Sequence, residues 1–300
     1  MRLIMIFVDG LGMGEPDPGF NPAVGAIMPF FNRMLGASPF IRMKKPHLGD
    51  GMMLAPLDAT LGVPGLPQSA TGQAALLSGL NLARIMGRHI NGFPTASMRK
   101  ILAERNLFLL LRRRGKRVYF ANTYTPQYLA GIIDRTGMQS VTTVCYRAAG
   151  CPFNTLEDLK KNRSIYHDLT NEILIDRGYQ VDPRDPAEAG HILGDIYREY
   201  DFVLFEHFVT DLAGHAQNME KARELLSRLD EFMASLAARV DFRDTQLVLL
   251  SDHGNMEDLS TKTHTLNPVP VFAMGTGCGV WTKAVSLVDV TPLVMSFLCG

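Results

Sequence analysis

Short, continuously apolar runs alternate along the chain with longer segments of helical periodicity. The apolar runs are Leu3–Val8, Val118–Ala121, Phe202–Phe205 and Gln246–Leu250. An apolar run without polar interruption is typical of a strand that is covered on both faces, as in the middle of a parallel sheet. Because helical segments separate these runs, we predict an α/β fold, a three-layer sandwich around a mainly parallel central sheet.

Three segments carry the clearest helical signals. From Met219 to Val240, apolar residues recur at three- and four-residue steps, which predicts an amphipathic helix. A second helix is predicted from about Ala96 to Arg114. The segment Val290–Leu298 is predicted to close the chain as a helix with Pro292 in its first turn, where proline is tolerated.

Residues 123–189 fit this alternation poorly. The segment contains Cys145 and Cys151 together with several turn signals, and it shows no strong buried-strand run. We therefore predict that 123–189 form an insertion or small cap. The metal-binding catalytic core would then consist of 1–122 and 190–300.

Composition excludes several classes of partner. The 300 residues include 30 basic and 30 acidic side chains, a balance that argues against nucleic acid or an anionic membrane as partner. The four cysteines form no CxxC pair, which favours a reducing compartment. The apolar run Leu3–Val8 is too short for the core of a signal peptide, and no stretch approaches the ~20 apolar residues of a membrane span. A cytoplasmic location is the expectation; the oligomeric state stays open.

Polar residues of metal-binding type follow three of the predicted strands. Asp9 follows the first strand, Asp211 and His215 come shortly after the third, and Asp252-His253 follow the fourth. In open α/β sheets, loops at the carboxyl ends of the strands form the ligand crevice. Each residue alone could be a turn former or a surface side chain. The joint pattern of aspartate and histidine indicates a site for Zn, Mn or Fe.

Ser69 is the candidate nucleophile. It lies in Pro67–Gln73, where a turn-rich segment leads into an apolar, helix-forming one. The start of a helix presents backbone N–H groups and a positive dipole end to an anion. The serine could instead only cap the helix, and Thr71 is an alternative nucleophile. Beside a metal, however, a hydroxyl loses its proton far more readily.

The glycines Gly10, Gly12 and Gly14 superficially suggest a dinucleotide-binding fingerprint. Their spacing is GxGxG rather than GxGxxG, and Pro16 and Pro18 interrupt the helix that should follow. We therefore do not predict a dinucleotide site.

Several of these motifs together resemble a known enzyme group. Ser251–Glu257 and His264–Pro270 resemble the C-terminal metal-binding signature of cofactor-independent phosphoglycerate mutases. Asp211–His215 resembles their Asp-x-x-Gly-His element, Ser69–Gly72 the surroundings of their nucleophilic serine, and Asp9 their N-terminal metal-binding aspartate. The wider group is the alkaline phosphatase superfamily, which includes the phosphopentomutases. The resemblance implies an alkaline phosphatase-like core.

The resemblance also implies a ligand set for two divalent ions, Mn or Zn. One ion would be held by Asp211, His215 and His264, and the other by Asp9, Ser69, Asp252 and His253. Ser69 would attack the phosphorus of a small phosphorylated substrate and form a phosphoserine intermediate. Two neighbouring ions can stabilise both the attacking oxygen and the transferring phosphoryl group.

The chain also departs from the mutases. Gln68 and Gln73 stand where they have asparagine and histidine, and the insertion is too small to be their second domain. Their substrate arginines and general-acid histidine therefore cannot be carried over. Four residues could contact phosphate or the leaving group, although surface salt bridging is the favoured interpretation for each: Arg84, Arg88, His89 and Arg147. With so small a cap we slightly favour a phosphatase over a phosphomutase. The alternatives are a sulfate or phosphonate ester hydrolase and a non-catalytic metal-dependent binding protein for a phosphorylated ligand.

Overall fold

A computed structural model describes residues 1–36, 38–133 and 138–300. Seven strands form one sheet in the order β2-β3-β7-β6-β1-β5-β4. The strands are β1 (Arg2–Val8), β2 (His47–Gly49), β3 (Met52–Leu57), β4 (Val118–Phe120), β5 (Phe202–His207), β6 (Thr245–Leu250) and β7 (Val269–Met274). The parallel strands β6, β1, β5 and β4 are adjacent, and β7, β3 and β2 extend the sheet with antiparallel pairing.

Helices cover both faces of this sheet. The α-helices are α1 (Pro29–Leu35), α2 (Ser69–Ser78), α3 (Leu82–Met86), α4 (Ala96–Glu104), α5 (Leu107–Arg113), α6 (Pro126–Ile133), α7 (Val141–Ala148), α8 (Leu156–Lys160), α9 (Glu172–Asp176), α10 (Pro186–Ile196), α11 (Val209–Ala216), α12 (Met219–Ala237) and α13 (Val290–Cys299). Short 3₁₀ helices span Pro22–Val24, Tyr197–Glu199, Cys278–Lys283 and Leu287–Asp289. No described helix is long and apolar enough to cross a membrane.

Strand β1 shows how the three layers are held together. Its side chains alternate between two buried clusters: Leu3, Met5 and Phe7 pack into one, and Ile4 and Ile6 pack into the other. The first cluster contains the apolar faces of α2, α4, α5, α7 and α13, and the second those of α1, α10 and α12. The predicted α/β sandwich is confirmed, and all four predicted strands are present. Strands β2, β3 and β7 were not predicted from the sequence.

The helix predicted from Ala96 to Arg114 is in fact two helices, α4 and α5. Asn106 separates them, and its side chain is fully buried. Its Nδ2 donates to the carbonyl of Leu102 at the end of α4, while its Oδ1 accepts from the amide of Leu109 in the first turn of α5. Asparagine is a favoured N-cap because it satisfies a free amide of the new helix. The helical spacing of apolar residues continues on both sides of Asn106, so the sequence did not reveal the break between the two helices.

The segment 123–189 has two parts. Helix α7 packs against α2, α4 and α5 with Cys145 and Tyr146 in the main core. Leu159, Tyr166 and Leu174 form a small cluster of their own. The second part also contributes Ile165 and Leu169 to the buried cluster of α1, α10 and α12. Both parts therefore share the core, and the boundary of the predicted insertion stays a prediction.

Candidate metal centre

The predicted ligands meet at the carboxyl edge of the parallel strands. Asp9 follows β1, and its amide continues the pairing with β5 by donating to the carbonyl of His207. Asp252 and His253 follow β6, which neighbours β1 on its other side. Because β1, β5 and β6 are adjacent and parallel, their ends lie side by side, as expected for the ligand crevice of such sheets.

One group consists of Asp9, Asp252 and His253, which are all buried. The Nε2 atom of His253 lies 3.2 Å from Oδ1 of Asp9 and 3.6 Å from Oδ2 of Asp252. Oδ1 of Asp9 is buried, and none of its contacts with the described residues, including that with His253, has hydrogen-bond geometry. An unpartnered buried carboxylate oxygen beside a second carboxylate is costly unless a cation lies between them.

A second group brings together the remaining predicted ligands. Asp211 and His215 lie one turn apart on α11, with Oδ2 of Asp211 3.3 Å from Nε2 of His215. Nε2 of His264 lies 3.3 Å from Nε2 of His215 and 3.7 Å from Oδ1 of Asp211. The rings of His264 and His253 stack with centroids 3.7 Å apart, so the two groups are contiguous. His253 also has its ligand atom within 4.8 Å of those of Asp211 and His264.

All three histidines present the same ring nitrogen to this space. Nδ1 of His215 contacts the carbonyl of Lys262 at 2.7 Å, and Nδ1 of His264 contacts that of Pro67 at 2.8 Å. Nδ1 of His253 lies 3.4 Å from the carbonyl of Gly254. A histidine ligand typically donates its other N–H to such an acceptor, which sets the tautomer and leaves Nε2 free for the metal. The residues thus fit a divalent cation.

The electrostatics of the cluster also favour a cation. Burial, together with the charge of Asp9, raises the pKa of Asp252 well above its usual value. Burial alone would lower the pKa of His253, but the carboxylates of Asp252 and Asp9 raise it to about 10. Burial and the charge of His253 lower the pKa of His264 to about 4. The raised pKa of His253 reflects the negative charge of the carboxylates around it, which a metal ion would neutralise.

Ser69 lies directly beside this cluster. It is the first residue of α2, is 9% exposed, and its Oγ is 3.0 Å from Nε2 of His253. No side chain caps the N-terminus of α2 among the described residues. Helix α2 approaches the loop after β6 so closely that a Cβ added to Gly72 would lie 2.6 Å from the carbonyl oxygen of Asp252. Glycine at this position therefore lets Ser69 reach the ligands.

Glu257 connects the loops that carry the ligands, and it is only 2% exposed. Its Oε2 accepts from the amides of Gly12 at 3.0 Å and Asn255 at 2.7 Å. Its Oε1 accepts from the hydroxyl of Thr265 and from the side-chain amide of Asn267. All four partners are donors, so a carboxylate is matched to this position.

We expect Glu257→Gln to weaken metal binding by about 10- to 100-fold, the range typical for outer-shell residues of metal sites. The new NH₂ group would face two donors and leave them unsatisfied, at about 1–3 kcal/mol for each such group. Metal titration and thermal unfolding measure both effects. Glu231→Gln, an exposed change on α12, is the matched control. Unchanged metal affinity in Glu257→Gln would show that these loops hold their positions without it.

A cavity of about 500 Å³ adjoins Ser69, Asp9 and Asp211. Part of its wall comes from the segment 123–189 and part from the end of β5, where Glu206 lies. Burial and the nearby Asp9 raise the pKa of Glu206 to about 8. The sequence reading did not find this cavity, because its lining residues come from many separate segments and share no spacing.

Other candidates lie elsewhere. His207, the last residue of β5, is fully buried, and its Nδ1 contacts the carbonyl of His167. His89 contacts the hydroxyl of Thr71 and the carbonyl of Val63. Four residues were predicted from the sequence as candidates for phosphate contacts. None of them lines the cavity in the described part of the chain: Arg84, Arg88, His89 and Arg147.

Comparisons with known proteins agree with this picture. A family model described as the metalloenzyme superfamily matches residues 171–298. The 2,3-bisphosphoglycerate-independent phosphoglycerate mutase of Dinoroseobacter shibae is 26% identical over 129 residues, which are 40% of this chain and 26% of the mutase. The matched segment thus spans about a quarter of that relative's length. The predicted resemblance to these mutases is confirmed.

Solved structures show the same fold. The PH0037 protein from Pyrococcus horikoshii superimposes with a TM-score of 0.61 at 15% identity, covering 99% of this chain and 96% of that one. A Mg-containing mutant of the alkaline phosphatase from the Antarctic bacterium TAB5 gives 0.57 at 11% identity, covering 99% and 97%. The alkaline phosphatase-like core is therefore confirmed as a fold.

Proposed function

Starting from the match of residues 171–298 to the metalloenzyme superfamily, we propose that this protein is a metal-dependent phosphoryl-transfer enzyme acting on phosphate monoesters. The observation that carries the proposal is the position of Ser69. Its Oγ lies 3.0 Å from Nε2 of His253, at the edge of a cluster of buried carboxylates and imidazoles. A hydroxyl so close to candidate metal ligands is suited to be a nucleophile.

The ligand set proposed for two ions follows the two contiguous groups. Asp211, His215 and His264 would hold one ion, and Asp9, Ser69, Asp252 and His253 the other. Aspartate oxygens with histidine nitrogens suit Mn or Zn. When bound, such ions would supply positive charge to the phosphoryl oxygens and lower the pKa of the serine hydroxyl.

The protein's own groups would do the rest. Oγ of Ser69 loses its proton to solvent and attacks phosphorus, the bond to the leaving oxygen breaks, and that oxygen takes up a proton from water as a phosphoserine forms. The uncapped N-terminus of α2 directs its amides and positive dipole end towards the phosphoryl group. Water then attacks the phosphoserine, releases phosphate and restores the serine hydroxyl.

We favour hydrolysis over transfer within one substrate. A mutase must retain its dephosphorylated product until the phosphoryl group returns to it. The cavity beside Ser69 holds about 500 Å³, and the wall contributed by 123–189 consists of short helices and loops. So small a cap favours release of the product. Sulfate and phosphonate esters are the alternative substrates, since the same ligands suit them.

A substrate panel tests this proposal. The protein loaded with Mn or Zn should hydrolyse aryl phosphates at least about a hundredfold faster than the chelated protein, because the cation supplies much of the charge stabilisation. Matched aryl sulfates and phosphonates are assayed alongside, with free phosphate, sulfate or phosphonate as the readout. Turnover of the sulfate alone would reassign the substrate class. Metal binding without turnover of any ester would favour a non-catalytic binding protein.

A further inference from the structure

The cavity beside Ser69 has a strongly aromatic wall. The aromatic lining residues are Phe93, Phe120, Tyr124, Tyr128, Tyr166 and Phe208. They come from the core and from the segment 123–189, so the wall is built by chain segments far apart in sequence. A ligand cavity is typically about 300–1,000 Å³. At about 500 Å³, this one can accept an organic group as well as a phosphoryl group.

Three hydroxyls of this wall are bonded to one another, whereas Nδ1 of His167 has no partner among the described residues. The hydroxyl of Tyr124 lies 3.0 Å from Oγ1 of Thr143, which is also 2.9 Å from Oγ of Ser140. The ring of His167 stacks on that of Phe208 with centroids 3.8 Å apart. Burial lowers the pKa of His167 well below its usual value, so its ring is neutral at neutral pH. The wall therefore offers mostly ring surface to a ligand.

The charges on the wall do not suit an anionic leaving group. Among the described lining residues, Arg177 alone carries a permanent positive charge, and it is exposed. Glu206 and the candidate metal ligands Asp9 and Asp211 are the acidic members. Beyond the metal centre, whose cations would neutralise Asp9 and Asp211, a carboxylate on the substrate would find a single positive side chain, and that one is screened by solvent.

We propose that the cavity accepts an uncharged aromatic leaving group, so that the substrate is a phosphate monoester of an aryl or arylalkyl alcohol rather than of a small hydroxy acid. This rests on the proposed function of the same site. The phosphoryl group would lie between Ser69 and the metal ligands, and the aromatic group would pack against Tyr124, Tyr128 and Phe208. Ring-to-ring contacts and loss of water from these surfaces would provide the selectivity.

Two esters with the same type of primary alcohol test the selectivity. Phenethyl phosphate carries a phenyl group where phosphorylated hydroxypropionate carries a carboxylate. We expect kcat/KM to favour phenethyl phosphate by about tenfold or more, the discrimination typical of an apolar pocket. Equal values, or a preference for the carboxylate, would overturn the inference and leave the proposed function standing. If neither ester is hydrolysed, the proposed function itself fails.

Variants locate the selectivity in the cavity. The ratio of the two kcat/KM values is the readout, because general damage to the centre affects both esters alike. Phe208→Ala and Phe93→Ala should each lower the ratio several-fold, whereas Phe20→Ala, an exposed phenylalanine outside the lining, should not change it. A ratio insensitive to both phenylalanines of the lining would contradict the assignment.

Binding of naphthol to the metal-free protein provides a test without catalysis. Calorimetry should detect saturable binding that Phe208→Ala weakens and Phe20→Ala does not. Binding of naphthol depends neither on metal nor on turnover. It therefore tests the aromatic cavity separately from the proposed phosphoryl transfer. Absence of saturable binding, or binding that Phe208→Ala leaves unchanged, would overturn the inference even if phosphate esters are hydrolysed.

Discussion

Ser69→Ala lowers kcat for aryl phosphate hydrolysis by about three orders of magnitude or more, the expected result of removing a nucleophile. The variant should still fold, since Ser69 is at the first position of α2 and alanine is a good helix former. It should also still bind metal, because Asp9, Asp252 and His253 remain. Rates are measured with metal in excess, together with the metal content of the purified variant.

Thr71→Ala is the matched control, since Thr71 is the rival nucleophile in the same turn. Its hydroxyl donates to the carbonyl of Gln68 at 3.1 Å and lies 3.4 Å from Nδ1 of His89, which is not a predicted ligand. We therefore expect a much smaller loss for Thr71→Ala. Quenching with acid during turnover should also yield a phosphorylated peptide containing Ser69. Full activity of Ser69→Ala would rule out the serine mechanism, and loss confined to Thr71→Ala would transfer the role to Thr71.

Asp252→Asn should have opposite effects on the metal-free and metal-loaded protein. Without metal, Asp252 is a fully buried carboxylate close to Asp9, and neutralising it relieves repulsion and desolvation. Gln73 donates its Nε2 to Oδ2 of Asp252 at 3.4 Å, and a turn of its side-chain amide would let the unpartnered Oε1 accept from the new amide. The free energy of unfolding of the metal-free protein should therefore rise.

With metal, the same substitution should be destabilising. A ligand present at a thousand times its Kd stabilises the folded state by about 4 kcal/mol, and weaker binding loses much of this. Activity should fall with metal occupancy. Thermal unfolding with and without Mn or Zn measures both effects, and Asp50→Asn, an exposed aspartate, is the control. If Asp252→Asn destabilises the metal-free protein as much as it destabilises the metal-loaded protein, Asp252 stabilises the fold rather than a bound cation.

Much of the sheet could be predicted because its central strands are buried on both faces. Leu3–Val8 and Leu247–Leu250 are apolar throughout, and this continuous apolar character allowed them to be predicted as strands. Strand β3 (Met52–Leu57) is equally apolar but contains Pro56, which argues against a strand unless its position tolerates the missing amide. The break at Asn106 was missed because the apolar spacing continues on both sides of it.

The candidate metal ligands could be predicted from the sequence for a different reason. Asp9 and Asp252-His253 directly follow apolar strands, so their positions relative to the sheet edge follow from local sequence. Asp211 and His215 are one helical turn apart on α11, which places them on one face. These relations are local, and the adjacency of parallel strands converts them into one site.

Local sequence thus predicted that aspartates and histidines at the strand ends would lie at one edge of an α/β sheet as candidate metal ligands, and the family resemblance added His264 and Ser69. Only the tertiary structure decided their mutual distances, the support from Glu257, and the aromatic cavity beside Ser69. The physical reason is that ligands at strand ends are positioned by backbone pairing, which periodicity reveals. A cavity wall is instead formed by side chains from distant segments, such as Phe120, Tyr128 and Phe208. Their positions depend on how those segments pack, and this packing produces no pattern along the chain.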